Sequence, residues 1–458
     1  MQQTQPLPSS YRDPSGFVFE KEGSLYRQVN NIFKEDFDHF ISSGCYDHLI
    51  KKGLLIHHEE VNENLSGTDH WYKTLKPERI PFISYPYEWT FDMLKDAALL
   101  TLQLVEECVP FGVMLKDATP YNIQWRDGRL IFIDSLSFEK YDVSKPWIAY
   151  RQFCETFLSP LLLMYYSKQP LQSLTLAWPD GIPISTTKSL LPWRSRFSFY
   201  TYLHIYLHER FSAASKPGQN LKTQFSEKKL QNIISSLRSL ITSLEWKGKA
   251  TTWENYYGEA AQRSNYLGSK KNIISQWLDE LGGIESAIDL GANEGEFSSL
   301  LSKKNIQTIS CDFDHSAINN LYRKIKAEKI KNILPLVIDL SHPSPAIGLN
   351  NKERSSFIER TKVDLAFALA LIHHLAIGKN IPFDKIAELF SGMTDRLIIE
   401  FVPKQDEKIQ FMLSQKKDIY ADYSEKSFLN SFEKYFTVLK KVTVGDSGRA
   451  IYLMRKHE

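Results

Sequence analysis

Residues 284–297 read Ile284-Glu-Ser-Ala-Ile-Asp289-Leu-Gly291-Ala-Asn293-Glu-Gly295-Glu-Phe297. An apolar run ending in an acid, a turn with two glycines and a helix expected from about Phe297 make a strand, turn and helix in succession. Glycine lets the chain turn tightly and lets a ligand lie against bare backbone. The spacing is Asp-x-Gly-x-x-x-Gly, not the Gly-x-Gly-x-x-Gly that seats a pyrophosphate on a helix N-terminus. The Lys-Ser/Thr of a P-loop is missing too, so this turn suits a ligand that is not gripped by phosphates.

The rhythm continues outward. Strands expected at 286–289, 308–312, 333–338, 363–369, 396–402, 437–442 and 450–454 alternate with helical stretches. That alternation means an α/β Rossmann-like domain with a seven-stranded, mostly parallel sheet covered on both faces. The second strand, Thr308-Ile-Ser-Cys-Asp312-Phe-Asp314, ends in a carboxylate that can accept both ribose hydroxyl protons; Asp312 is the choice and Asp314 its neighbour. The third, Ile333-Leu-Pro-Leu-Val-Ile-Asp339, also ends in an acid. Acids at the ends of three successive strands converge on one crevice.

This set resembles motif I and the following acidic strand ends of class I S-adenosylmethionine-dependent methyltransferases. The resemblance implies that Asp289, Gly291, Asn293, Gly295 and Asp312 hold S-adenosyl-L-methionine, with Asp339 accepting from the adenine amino group. Ala368-Leu-Ala-Leu-Ile-His373-His374 follows the fourth strand, and Leu397-Ile-Ile-Glu400-Phe-Val-Pro403-Lys404 the fifth; there the acceptor is expected to meet the methyl group. His373 or His374 is a candidate general base, because imidazole titrates near neutrality; each is equally readable as packing beside the cofactor. Glu400 is a candidate acceptor or base, since a carboxylate after an apolar strand needs a partner or a task. Asp339-Leu-Ser-His-Pro-Ser-Pro-Ala-Ile-Gly and the two stretches around His373 and Glu400 look like the bacterial, nodulation-protein-related NoeA-like family over nearly the whole chain. That likeness implies no methyl acceptor.

The first half carries a second constellation, Leu115-Lys-Asp117-Ala-Thr-Pro120-Tyr-Asn122, followed across a hairpin by Asp134. It resembles the catalytic and metal-binding loops of protein kinases and of aminoglycoside- or choline-kinase-like enzymes. In that resemblance Asp117 handles the acceptor hydroxyl while Asn122 and Asp134 bind magnesium, which makes MgATP a possible ligand. Departures are plain: Lys116 precedes Asp117, Ser135 follows Asp134, and no glycine-rich phosphate loop lies in 10–50. Arg27, Lys51 and Lys52 are the candidates for the missing lysine. A hairpin at 16–30, a helix at 33–52, a strand near 80–89, a long helix from Thr90 to about Gly112, and helices at 146–166 and 192–211 make this region α+β.

At 458 residues the chain is too long for one core. We expect a kinase-like domain at 1–211, a linker or helical connection rich in Ser, Lys and Gln at 212–249, and the methyltransferase domain at 250–458. A formal net charge of +2 gives no general field for polyanions, so nucleic acid is not indicated. Four scattered cysteines without ligand spacing argue against zinc and disulfides, and with no basic, apolar leader they fit a cytoplasmic protein. No metal and no membrane partner is expected. The aromatic clusters Tyr85–Trp89 and Phe197–Tyr202 read as core or interface packing rather than a base-stacking platform. Three functions stay open: a methyltransferase acting on a glycan, small metabolite, protein or RNA, with a degenerate kinase-like domain that holds substrate; a bifunctional phosphotransferase and methyltransferase; and a non-catalytic kinase-like scaffold.

Overall fold

The computed structural model describes residues 4–210, 225–248 and 264–457. The chain forms two units, one of residues 1–249 with 346–354, the other of 250–345 with 355–458.

The first unit opens with an antiparallel sheet of β1 (Gly16–Lys21), β2 (Ser24–Asn30), β3 (His58–Val61) and β4 (Trp71–Pro77), in the order β1-β2-β4-β3. Helices Lys34–Ser42 and Cys45–Lys51 are inserted between β2 and β3. They replace the single helix expected at 33–52, because Gly44 takes φ +81 and breaks it. The strand expected near 80–89 is absent; Pro86–Glu88 forms a short turn, and the true strands β3 and β4 lie before it. Thr90 caps helix Phe91–Cys108 by accepting from the Met93 amide. β5 (Val113–Leu115) pairs with β8 (Phe138–Lys140), and β6 (Ile123–Arg126) with β7 (Arg129–Phe132), whose turn uses Asp127 and Gly128 at positive φ.

Helix Glu227–Ser243, in the stretch expected to be a connection, belongs to the first unit, where Lys95 donates to the Thr242 and Leu244 carbonyls. Of the expected connection, 212–224 and 249 lie outside the described residues, as do 211 and 250–263. Residues 346–354 also belong to this unit, with Glu353 paired to Arg12 at 2.7 Å.

The second unit is built on β9 (Ser286–Leu290), β10 (Gln307–Asp312), β11 (Ile333–Val337), β12 (Val363–Ala368), β13 (Thr394–Phe401), β14 (Phe436–Thr443) and β15 (Ala450–Lys456). The sheet order is β11-β10-β9-β12-β13-β15-β14. The first five strands run parallel, and β15 is antiparallel to both its neighbours. The chain leaves β9 in one direction for β10 and returns on the other side for β12. A crevice must open there, at the carboxyl ends of the strands. Helix Ser264–Glu280 packs on the core through Ile274 and Trp277, beside Leu365, Ile398 and Leu453.

Candidate active site

The crevice at the switch point is a cleft lined by the ends of β9, β10 and β12 and the segments after them. Gly291 turns at φ +76, and a Cβ there would come 3.3 Å from Leu371. Gly295 turns at φ +78 but serves packing, since its Cβ would meet Leu321 at 2.6 Å. Gly291 therefore keeps the cleft floor bare, whereas Gly295 lets Leu321 of helix His315–Glu328 pack closely on the turn and does not line the cleft.

Asp289, Asn293, Asp312 and Asp339 all line this cleft. Asp289 is buried and accepts from Ser298 Oγ at 2.6 Å, and burial pushes its carboxyl up to about 6. Asp312 accepts from the amides of Asn293 at 3.0 Å and Asp314 at 2.9 Å, so the turn and the strand end are locked together. Burial raises this carboxyl to about 6 as well. Burial also works to raise Asp339, but hydrogen bonds from Ser341 and Lys379 outweigh it and hold this carboxyl below the usual range. Asp314 instead caps helix His315–Glu328 by accepting from the Ser316 and Ala317 amides.

The candidate bases separate. His374 lines the cleft, and burial, with the Arg449 charge, lowers it to about 4, so it is neutral at pH 7. His373 packs against it at 4.1 Å between ring centroids but points into the interior, where burial holds it far below its ordinary pKa. Glu400 does not line the cleft. It lies inside β13, not after it, and is 0% exposed. Its Oε2 takes the Lys270 ammonium at 2.5 Å, its Oε1 the Tyr266 hydroxyl, with Arg449 at 3.9 Å. Burial works to raise Glu400, but these cations prevail and keep it ionised.

Lys270 and Tyr266, which face the cleft from helix Ser264–Glu280, belong to no motif, and the sequence reading passed over them. Lys270 is 3% exposed and lies 4.8 Å from the centre of the Phe297 ring. Burial lowers its pKa, against the pull of Glu400. Lys379 and Phe313 complete the rim, and Ala370 is held at φ +53 in its wall, a strained position for a residue with a Cβ.

The kinase-like residues also come together, in the first unit. Asp117 accepts from Asn122 Nδ2 at 3.0 Å and Gln152 Nε2 at 2.6 Å, and burial raises it. Asn122 and Asp134 both bond Ser137. Of the three candidate cations only Arg27 reaches this cluster: from the middle of β2 it forms an ion pair with Asp134. Lys52 instead pairs with Glu107. Among the described residues no group of three or more His, Cys, Asp or Glu side chains is arranged to hold a metal.

The chain is 30% identical to the nodulation protein NoeA of Rhizobium meliloti (strain 1021), over 99% of this chain and 96% of that protein. It belongs to the NoeA family. No family model matches it. Among solved structures, the bifunctional kinase-methyltransferase WbdD is 20% identical, with a TM-score of 0.29 over 43% of this chain and 40% of WbdD. The match thus spans less than half of WbdD. The N-methyltransferase NodS of Bradyrhizobium japonicum WM9 is 13% identical, with a TM-score of 0.31 over 42% of this chain and 98% of NodS.

Proposed function

We propose that the second unit of this NoeA-family protein is an S-adenosylmethionine-dependent methyltransferase. The observation that carries the reading is the convergence of Asp289, Asp312 and Asp339 on one cleft whose floor is the bare turn at Gly291. Those residues fit the cofactor's parts. Asp312, fixed by two backbone amides, offers its carboxylate to the ribose hydroxyls. Asp339 offers a fixed acceptor to an amino group on the adenine. Asp289 faces the ammonium side of the methionine portion, and Lys270 supplies the cation for its carboxylate. When bound, the cofactor supplies an electrophilic methyl group. The protein's part is then to hold and orient the acceptor and to receive its proton.

His374 is the one candidate base that faces the cleft, and with its pKa near 4 it is unprotonated but only weakly basic, so its part is to orient the acceptor by taking a hydrogen bond from its O–H or N–H rather than to keep the proton. Glu400 acts behind the wall by holding Lys270.

The first unit is read as a holding module rather than a phosphotransferase. Asp134, the carboxylate that would ligate magnesium, is already engaged by Arg27, Ser137 and the Leu136 amide. Calorimetry on the full chain tests both readings. Heat with S-adenosylmethionine that vanishes in Asp312→Ala supports the first, and silence with the wild type refutes it. Binding and turnover of MgATP would restore the bifunctional reading.

A further inference from the structure

Of the two clusters expected to pack in a core or an interface, Phe197–Tyr202 is largely on the surface, whereas Tyr85, Tyr87 and Trp89 are buried. Trp193 is 72% exposed, Phe197 76% and Phe199 73%, and Leu190 and Tyr202 are exposed beside them. Two ring pairs lie in this stretch: Trp193 meets Phe197 edge to face at 5.0 Å and Phe199 meets Tyr200 at 5.5 Å. Three aromatic side chains exposed to that degree present roughly 400 Å² of apolar surface to water. Exposed apolar patches of that size are often functional.

Charge selects the occupant. From Gly181 to His208 there is no Asp or Glu, while Lys188, Arg194 and Arg196 fall within the same stretch. Arg194 is anchored on the Tyr166 carbonyl at 2.9 Å, and Arg196 lies over the Tyr206 ring at 5.2 Å. Next to the patch a shallow basin is lined by Ser185, Lys188, Trp193, Arg196, Tyr206 and Glu209. Glu209, its one acid, is paired with Lys188 at 2.6 Å. Aromatic rings with an apolar body and cations at their margin sit at the boundary between headgroups and acyl chains, and anionic headgroups attract the cations. Among the described residues no helix is long and apolar enough to cross a membrane, so attachment through this patch is peripheral.

We propose that the segment Leu190–Tyr202 docks the protein on an anionic lipid bilayer. Trp193, Phe197 and Phe199 enter the headgroup region, while Arg194 and Arg196 meet lipid phosphates, with the basin taking one headgroup. This departs from the sequence-based expectation of no membrane partner, which rested on spanning segments alone. It does not depend on the methyltransferase reading.

The test is flotation of the full-length protein with phosphatidylcholine vesicles, with and without phosphatidylglycerol. The expected result is co-flotation with the anionic vesicles only, weakened by salt. In Trp193→Ser/Phe197→Ser/Phe199→Ser, whose exposed sites leave the core intact, partitioning falls by about tenfold or more with an unchanged thermal transition. Quenching of wild-type tryptophan fluorescence by brominated acyl chains, reduced in Trp193→Phe, supports the same insertion. No flotation by the wild type, or equal flotation by the triple variant, overturns the proposal. So does self-association that the triple variant abolishes, which would make a second copy the occupant, or binding of RNA at the patch in place of vesicles.

Discussion

Replacing Lys270 with methionine removes one half of an ion pair in which both side chains are buried, at 3% and 0% exposure. Breaking such a pair costs about 3–5 kcal/mol, because the surviving charge is stranded without water. Here the surviving Glu400 keeps the Tyr266 hydroxyl and Arg449, so the lower end, about 3 kcal/mol, is expected. For a domain of roughly 150–250 residues that lowers the unfolding midpoint by about 6–12 °C. Glu400→Gln strands Lys270 beside Arg449 and should cost a similar amount. The double variant Lys270→Met/Glu400→Gln should cost clearly less than the two together, since neither charge is then left alone. Function separates the partners. Lys270 faces the cleft, so Lys270→Met weakens S-adenosylmethionine binding by about tenfold or more, the loss of one charge-assisted contact. Glu400→Gln, assayed where it is folded and cofactor-saturated, should keep kcat within about tenfold. Denaturation followed by calorimetry and single-turnover kinetics reads all of these. If Glu400→Gln keeps its stability and its cofactor affinity but loses turnover by orders of magnitude, Glu400 is itself the base, and the assignment of a supporting role is refuted.

Asp289 and Asp312 both titrate near 6 in the ligand-free protein because burial disfavours their charge, so cofactor affinity should fall as pH drops through about 6. Their raised pKa also means the folded state holds these protons more tightly than the unfolded chain, so they lower the stability of the ligand-free second unit as pH rises from about 4 to about 6. Affinity flat from pH 8 to pH 5 by calorimetry would contradict the first statement. Gly295→Ala places a Cβ at φ +78 against Leu321 and should cost about 1–3 kcal/mol in denaturant unfolding, with cofactor affinity of the folded fraction unchanged. Arg27→Met leaves Asp134 buried with only Ser137 and the Leu136 amide, and should lower the first unit's midpoint while MgATP still gives no heat. A midpoint equal to the wild type's would mean the Arg27 ion pair does not hold this cluster.

What could be read in advance was local. Asp289, Gly291 and Asp312 sit within a strand end and its following turn, where residue type and spacing carry the geometry, and all three line the cleft. Tyr266 and Lys270 are one turn apart on a helix upstream of the sheet; helical periodicity places such residues on one face without saying which strand they meet. Glu400 lies within both the strand expected at 396–402 and the observed β13, where side chains alternate between the two faces, and its face turns to Lys270 behind the cleft, a partner that the spacing along the strand does not name. The two histidines are adjacent, so only the local backbone decides that His374 meets the cleft and His373 the core. Aromatic clusters gave no sign of their side: Trp89 is fully buried and Phe197 largely exposed, since apolar residues also populate surfaces.

The charges behind the cleft explain how a buried lysine can wait there. Asp406 accepts from Nε and Nη2 of Arg449, at 2.8 and 3.0 Å; Arg449 Nη1 donates to the Tyr266 hydroxyl; that hydroxyl and Lys270 share Glu400. The relay ties helix Ser264–Glu280 to β13, to Asp406 at the start of helix Glu407–Ser414 and to Arg449 just before β15, so every ion in it has a partner before any ligand arrives. Burial lowers the Lys270 pKa, the Glu400 carboxylate works against that, and one face of Lys270 stays turned to the cleft. An incoming carboxylate meets a cation whose desolvation is already compensated by Glu400, so binding need not supply it again. Neutralising Glu400 should therefore weaken cofactor binding indirectly and less than loss of Lys270 does, an ordering that a direct contact from Glu400 to the ligand would reverse.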